Sequence, residues 1–105
     1  MSQITFEGII FLVDDSCFLV NPEEWNMTWA KFVYQQEGIE ELTDEHRRVI
    51  NFLRQYYDEY KAAPFVQDLC AGVQLTQNDL YKLFPSGPVK GAYRMAGLPK
   101  PEWCV

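Results

Sequence analysis

The chain has 105 residues, 48% of them hydrophobic and 15% aromatic, which is the size and composition of one domain with one buried core. Its formal net charge is −6, carried unevenly: residues 1–81 hold fourteen acids against five Lys/Arg, and residues 82–105 hold Lys82, Lys90, Arg94 and Lys100 against Glu102 alone. An acidic body disfavours a surface built to neutralise phosphates, and three cysteines, Cys17, Cys70 and Cys104, match neither a disulfide framework nor zinc-ligand spacing.

In chain order, Ile4 to Phe6 and Ile9 to Val13 are β-rich runs separated by Glu7-Gly8, which predicts an amino-terminal hairpin. The second run is too short for a signal peptide or a membrane span and leads into Asp14 and Asp15, so the expected location is cytoplasmic with no membrane partner. Asn21-Pro22-Glu23-Glu24 offers a cap, a proline for the first helical position and a capping-box glutamate, predicting a helix that ends near Gly38 with Trp25, Trp29, Phe32 and Val33 on one face. Thr43 begins a second helix whose apolar positions, Val49, Ile50, Phe52, Leu53, Tyr56, Tyr57 and Tyr60, span an arc wide enough for a central position. Pro64 is expected to open a third helix that Gly72 closes. Thr76 caps a fourth, with Leu80, Tyr81, Leu83 and Phe84 as its buried stripe and Pro85 as its stop. After Ser86-Gly87-Pro88 a short helix around Lys90 to Met95 runs to Gly97. The expected fold is mainly α: a small helical bundle with an amino-terminal β-hairpin, a helix-turn-helix-like pair and a flexible carboxy-terminal arm, divided into a body of residues 1–96 and an arm of residues 97–105.

The third and fourth helices invite comparison with a DNA-binding helix-turn-helix, but the groove-facing candidates Gln77, Asn78, Asp79 and Lys82 include one cation, so DNA is disfavoured as a partner. His46 lies in the first turn of a helix beside two acids and has no second ligand or nucleophile spaced to join it, which makes it a solvated or capping group. Cys70 shares a face with Val66 and Leu69 and reads as a small buried hydrophobe; Cys17, before Phe18 and Leu19, reads as structural or incidental. No catalytic triad, phosphate-binding glycine loop or carboxylate pair is present, and no metal or cofactor is expected.

Cys104 differs from the other two thiols. It follows Pro99 and Pro101, which favour extended geometry, so it would ride on a semi-stiff arm with Lys90, Arg94 and Lys100 as candidate cations to favour its thiolate.

Leu83-Phe84-Pro85-Ser86-Gly87-Pro88, Lys90-Gly91-Ala92 and Ala96-Gly97-Leu98-Pro99-Lys100-Pro101 followed by Cys104-Val105 resemble the DsrC/TusE family of dissimilatory sulfite reductase gamma subunits and tRNA 2-thiouridine synthesis proteins. Weaker matches are Glu37-Gly38-Ile39, residues 50–57 and Ala63-Pro64. The resemblance spans essentially the whole chain. It implies a helical bundle with a mobile carboxy-terminal arm and a sulfur-carrier (sulfurtransferase) role in which Cys104 accepts sulfane sulfur as a persulfide and relays it. The implied partners are a sulfur-relay donor and an acceptor such as a tRNA thiolase or dissimilatory sulfite reductase. DsrC-type carriers have a second arm cysteine eleven positions before the penultimate one, where this chain has Tyr93. A single arm thiol closes no intramolecular disulfide with a second, so the alternative implied role is a non-catalytic regulatory or docking protein. Trp103 is a further departure: its indole either obstructs a narrow partner channel or anchors the arm on a protein surface.

Overall fold

The computed structural model describes residues 1–103, so Cys104 and Val105 lie outside the described residues. The chain opens with the expected antiparallel hairpin, β1 (Ser2–Phe6) and β2 (Ile9–Val13), in the register Phe6 opposite Ile9 and Ser2 opposite Val13. Glu7 and Gly8 both have positive φ, the requirement of a two-residue turn whose twist matches the strands. The hairpin lies on the first helix: the Phe11 ring is 5.2 Å from Trp29 and the Phe6 ring 5.4 Å from Phe32. Asp14 then accepts hydrogen bonds from the backbone N–H of Ser16 and Phe18, a local turn that sends Phe18 and Leu19 into the core and leaves Cys17 partly exposed.

The helix expected from Asn21 is divided. Pro22–Glu24 forms one 3₁₀ turn, Trp25 is extended, and α1 runs Met27–Gln36. The cap is Asn26, whose side chain accepts from Trp29 N–H at 2.9 Å, while Asn21 makes no side-chain cap. The break frees Trp25 to point its indole away from the α1 face and toward the carboxy-terminal segment, a tertiary demand that overrides the local capping signal.

Helix α2 (Asp44–Tyr60) starts at Thr43 as expected. His46 completes its capping box and is buried rather than solvated: Nδ1 accepts from Thr43 N–H and Nε2 donates to Leu83 O at 2.7 Å. The buried arc of α2 is narrower than expected, because Tyr60 is 58% exposed and stacks on Tyr56 at 4.5 Å. Helix α3 (Val66–Val73) begins two residues after Pro64 and runs through Gly72 to a left-handed Gln74. Gly72 is not the stop but a contact: the Phe52 ring of α2 occupies the space a β-carbon would need. Helix α4 (Gln77–Leu83) has the expected Thr76 cap, with Asp79 completing the box. Leu80 and Phe84 are buried, but Tyr81 is 55% exposed, since only part of so short a helix faces the core. A π-helix, Pro88–Tyr93, follows, and one further helical turn brings the chain to Gly97.

The core gathers Trp29, Leu53, Leu69, Leu80, Phe84, Tyr93, Met95 and Leu98, all fully buried. The mainly helical bundle with its hairpin is the fold class the sequence implied. No helix among the described residues is long and apolar enough to cross a membrane.

Candidate functional site

The carboxy-terminal segment is held to the body at two places. The first is its root. A helix end leaves backbone carbonyls short of intrahelical partners, and here three successive ones accept from distant side chains, Arg94 O in addition to the Gly97 N–H. Arg94 O accepts from Trp29 Nε1 at 2.7 Å, Met95 O from Trp25 Nε1 at 2.9 Å, and Ala96 O from Arg54 Nη1 at 3.1 Å. The same Arg54 nitrogen donates to Pro22 O at 3.1 Å, and the guanidinium lies 4.7 Å from the Trp25 ring centre, so cation, indole and carbonyls brace one another. Gly97 follows at φ +78° against Trp25; a β-carbon there would stand 2.8 Å from Trp25 Cβ and Cγ. Leu98 N–H returns to Tyr93 O at 3.1 Å, and Leu98 is fully buried. The root is therefore fixed in direction by donors from α1, α2 and the loop before α1.

The second place is Tyr93. Its ring is fully buried and its hydroxyl donates to Pro64 O at 2.7 Å. Burial pushes the phenol well above its ordinary range, with the nearby Cys70 and Asp68 adding to the effect, so it stays a neutral donor. Trp103 and this ring form an edge-to-face pair with centroids 6.0 Å apart at an interplanar angle of 87°, and the Phe65 ring centroid lies 5.5 Å from that of Trp103. Between the two places, Pro99–Trp103 face Tyr57, Lys61, Ala62 and Ala63 across a cleft of about 490 Å³.

The three cations expected to serve Cys104 sit on separate supports. Arg94 donates through Nε to Lys90 O and through Nη1 to Gln36 Oε1; Lys100 Nζ lies 3.5 Å from Ser16 Oγ; Lys90 is exposed beside Val66, Tyr81 and Pro88. Cys104 itself is outside the described residues. Of the other thiols, Cys70 packs against the core, and burial, with Asp79 adding, pushes its pKa up, which disfavours the nucleophilic thiolate.

The structure also explains motif stretches far apart in sequence. Glu37 accepts from Ser86 N–H at 2.9 Å and from the Ser86 hydroxyl, and a β-carbon on Gly91 would meet both Glu37 Oε1 and Phe84. Glu37-Gly38-Ile39, Ser86-Gly87-Pro88 and Lys90-Gly91-Ala92 thus form one junction supporting the π-helix. Sequence reading missed the roles of Trp25, Arg54, Glu37 and Phe65. Arg54 on a half-buried helix face was the one visible signal, since a cation there needs partners.

Residues 5–105 match the family model described as DsrC like protein. Over 105 residues the chain is 41% identical to the sulfite reductase, dissimilatory-type subunit gamma of Nitratidesulfovibrio vulgaris, covering all of both chains. It is 36% identical over 110 residues to the sulfurtransferase TusE of Yersinia pestis, covering 98% of this chain and all of that one. Among solved structures, a chain from the crystal structure of dissimilatory sulfite reductase I superposes with a TM-score of 0.92 at 40% identity, covering 99% of this chain and all of its own. With its fold and nearly its full length matched, the chain belongs to the DsrC family.

Proposed function

We infer that the chain is a cytoplasmic sulfur carrier in which Cys104 is the single loading thiol. The observation that carries the reading is the braced root at Arg94–Gly97: three side-chain donors fix the direction of a terminal segment whose motif includes Cys104. In the reaction, Cys104 as thiolate attacks the terminal sulfur of a donor persulfide. A Cys104 S–S bond forms, the donor S–S bond breaks, and the donor leaves as a thiolate. Sulfane sulfur changes hands with no net oxidation, and no cofactor is required. An acceptor nucleophile then takes the terminal sulfur and releases the Cys104 thiolate. Lys90, Arg94 and Lys100 favour that thiolate through the positive field of the segment. A partner of the kind named among the relatives, a dissimilatory sulfite reductase or a tRNA-thiolation system, would supply the acceptor.

Tyr93 favours a second reading, a docking or regulatory protein. Its side chain fills the position eleven residues before Cys104 and is locked to Pro64, so no disulfide between positions 93 and 104 is available. Intact-mass spectrometry after incubation with glutathione persulfide separates the two. The carrier gains one sulfur atom on Cys104, removable by dithiothreitol and absent in Cys104→Ser. Comparable loading on Cys17 or Cys70, or none at all, overturns the carrier reading.

A further inference from the structure

Trp103 is 37% exposed, and its covered part faces two aromatic rings from two elements: Phe65 at the start of α3 and Tyr93 at the end of the π-helix. The geometry is that of favourable aromatic pairs, one tilted and one edge-to-face, with centroids 5.5 and 6.0 Å apart. Both receiving residues are anchored by contacts that do not involve Trp103, Tyr93 through its hydroxyl and Phe65 through its backbone. Tyr93 is fixed by its hydrogen bond to Pro64 O, and Phe65, the next residue, caps α3 and accepts the N–H of Asp68 and Leu69 through its carbonyl. Phe65 is 55% exposed, an unusual placement for a phenylalanine whose one aromatic partner among the described residues is Trp103.

We propose that Trp103 is a positioning residue for Cys104: with Phe65 and Tyr93 it forms an aromatic clasp that ties the terminal segment to the body, so that the adjacent thiol reacts from a tethered tail. This rests on the carrier reading for its chemistry. The clasp is non-covalent and reversible, and its receiving site is built partly from the ring that replaces the second arm thiol. The tail has three supports in series, the root at Arg94–Gly97, the cleft wall at Pro99–Pro101 and the clasp at Trp103. Only the last is weak enough to open without disturbing the core. Opening it lengthens the reach of Cys104 by freeing the residues beyond Pro101, as handing sulfur between two different proteins requires.

The test uses the full chain labelled with 5-fluorotryptophan and observed by ¹⁹F NMR, with the Trp103 resonance assigned by Trp103→Phe. Phe65→Ala keeps the backbone carbonyl that caps α3 and removes half of the clasp. It should move the Trp103 resonance toward its position in the urea-unfolded chain and leave those of Trp25 and Trp29 unchanged, which reports an intact body. In parallel, peptide mapping gives the rate of Cys104 alkylation by iodoacetamide. Phe65→Ala should raise it about fivefold, the shift in open population from losing one aromatic pair, Trp103→Ala, which loses both pairs, should raise it further, and Trp103→Phe should restore most of the protection. A Trp103 resonance at the unfolded position in the unmodified chain, or an alkylation rate untouched by both alanine variants, overturns the clasp. If both readouts behave as expected while glutathione persulfide fails to load Cys104, the clasp stands and the carrier reading falls.

Discussion

Two glycines with the same backbone geometry separate strain from packing. Gly38 has φ +77° and nothing within 4 Å of where a β-carbon would sit; Gly97 has φ +78° and would place that carbon against Trp25. Alanine at either position pays a left-handed penalty of about 1–2 kcal/mol, partly offset by about 0.4–1 kcal/mol from a less disordered unfolded chain. These two terms cancel between the variants. What remains at Gly97 is the overlap with Trp25, whose Cβ and Cγ lie on the rigid part of the side chain while its indole N–H is committed to Met95 O. Overpacking of a well-filled site costs about 1–3 kcal/mol. Gly38→Ala should therefore lose about 1 kcal/mol and Gly97→Ala about 2–4 kcal/mol, a gap worth roughly 5–20 °C in melting temperature for a domain of this size. Urea unfolding of both variants followed by far-ultraviolet circular dichroism measures the gap. Equal losses, within about 0.5 kcal/mol, would show that the Trp25 contact does not constrain Gly97 and would remove the argument that the root of the terminal segment is braced.

Arg54→Met, which keeps the length of the stem but not the donor, should cost about 1–3 kcal/mol by stranding Ala96 O, while Pro22 O keeps the N–H of Trp25; a loss below about 0.5 kcal/mol in the same urea assay would mean that water replaces the guanidinium freely. Tyr93→Phe, which strands Pro64 O, should lose about 1 kcal/mol by the same measurement, and a neutral result would refute the assigned hydrogen bond. Burial raises the Cys70 pKa, so its alkylation in the folded chain should trail that of Cys17 at neutral pH and rise as pH increases; equal rates by peptide mapping at neutral pH would contradict its placement. Backbone N–H of Thr76 holds the Asp79 carboxyl below its ordinary range, helped by the Thr76 side chain. A depressed acid stabilises the fold above its unfolded pKa and loses that contribution as pH falls through the folded one. Asp79→Asn should therefore flatten the acid limb of a stability-against-pH curve, and an unchanged limb would refute the capping role.

The sequence was most legible where the cause of structure is local. Glu7-Gly8 between two β-rich runs, Thr43 before an amphipathic run and Thr76 before a short apolar stripe each act within four residues, and the hairpin, α2 and α4 begin where those signals lie. The misreadings have long-range causes. Asn21 carries as good a cap as Asn26, but the Trp25 indole is claimed by Met95 O, seventy residues away, and the helix begins after it. Gly72 reads as a stop until Phe52 is seen against it. Tyr60 and Tyr81 fall in apolar patterns because periodicity ranks them with core residues, while their amphipathic rings rest on the surface. In the candidate site, family-like stretches were visible as motifs. Their physical reason, the Glu37–Ser86 junction and the carbonyls of Arg94, Met95 and Ala96, was not, because each pairing joins elements forty or more residues apart.

Tyr93 decides which kind of closure the terminal segment can have. A thiol at that position would offer the terminal segment a covalent closure that only reduction opens. A buried tyrosine offers a ring, and the energy it lends to the Trp103 contact is of the order of 1 kcal/mol. That pair alone contributes about a fivefold preference for the closed tail, large enough to help set a resting state and small enough for a partner surface to reverse. The substitution thus removes redox control of the tail without removing the tail's attachment. Tyr93→Cys converts one form of control into the other. Mild oxidation of the variant at low protein concentration should then link positions 93 and 104 within one chain, because the fixed root and the short loop between them keep the closure cost modest. Exclusive formation of intermolecular dimers, read by peptide mapping, would mean that the tail's resting geometry does not bring those positions together, and would favour the docking reading over the relay.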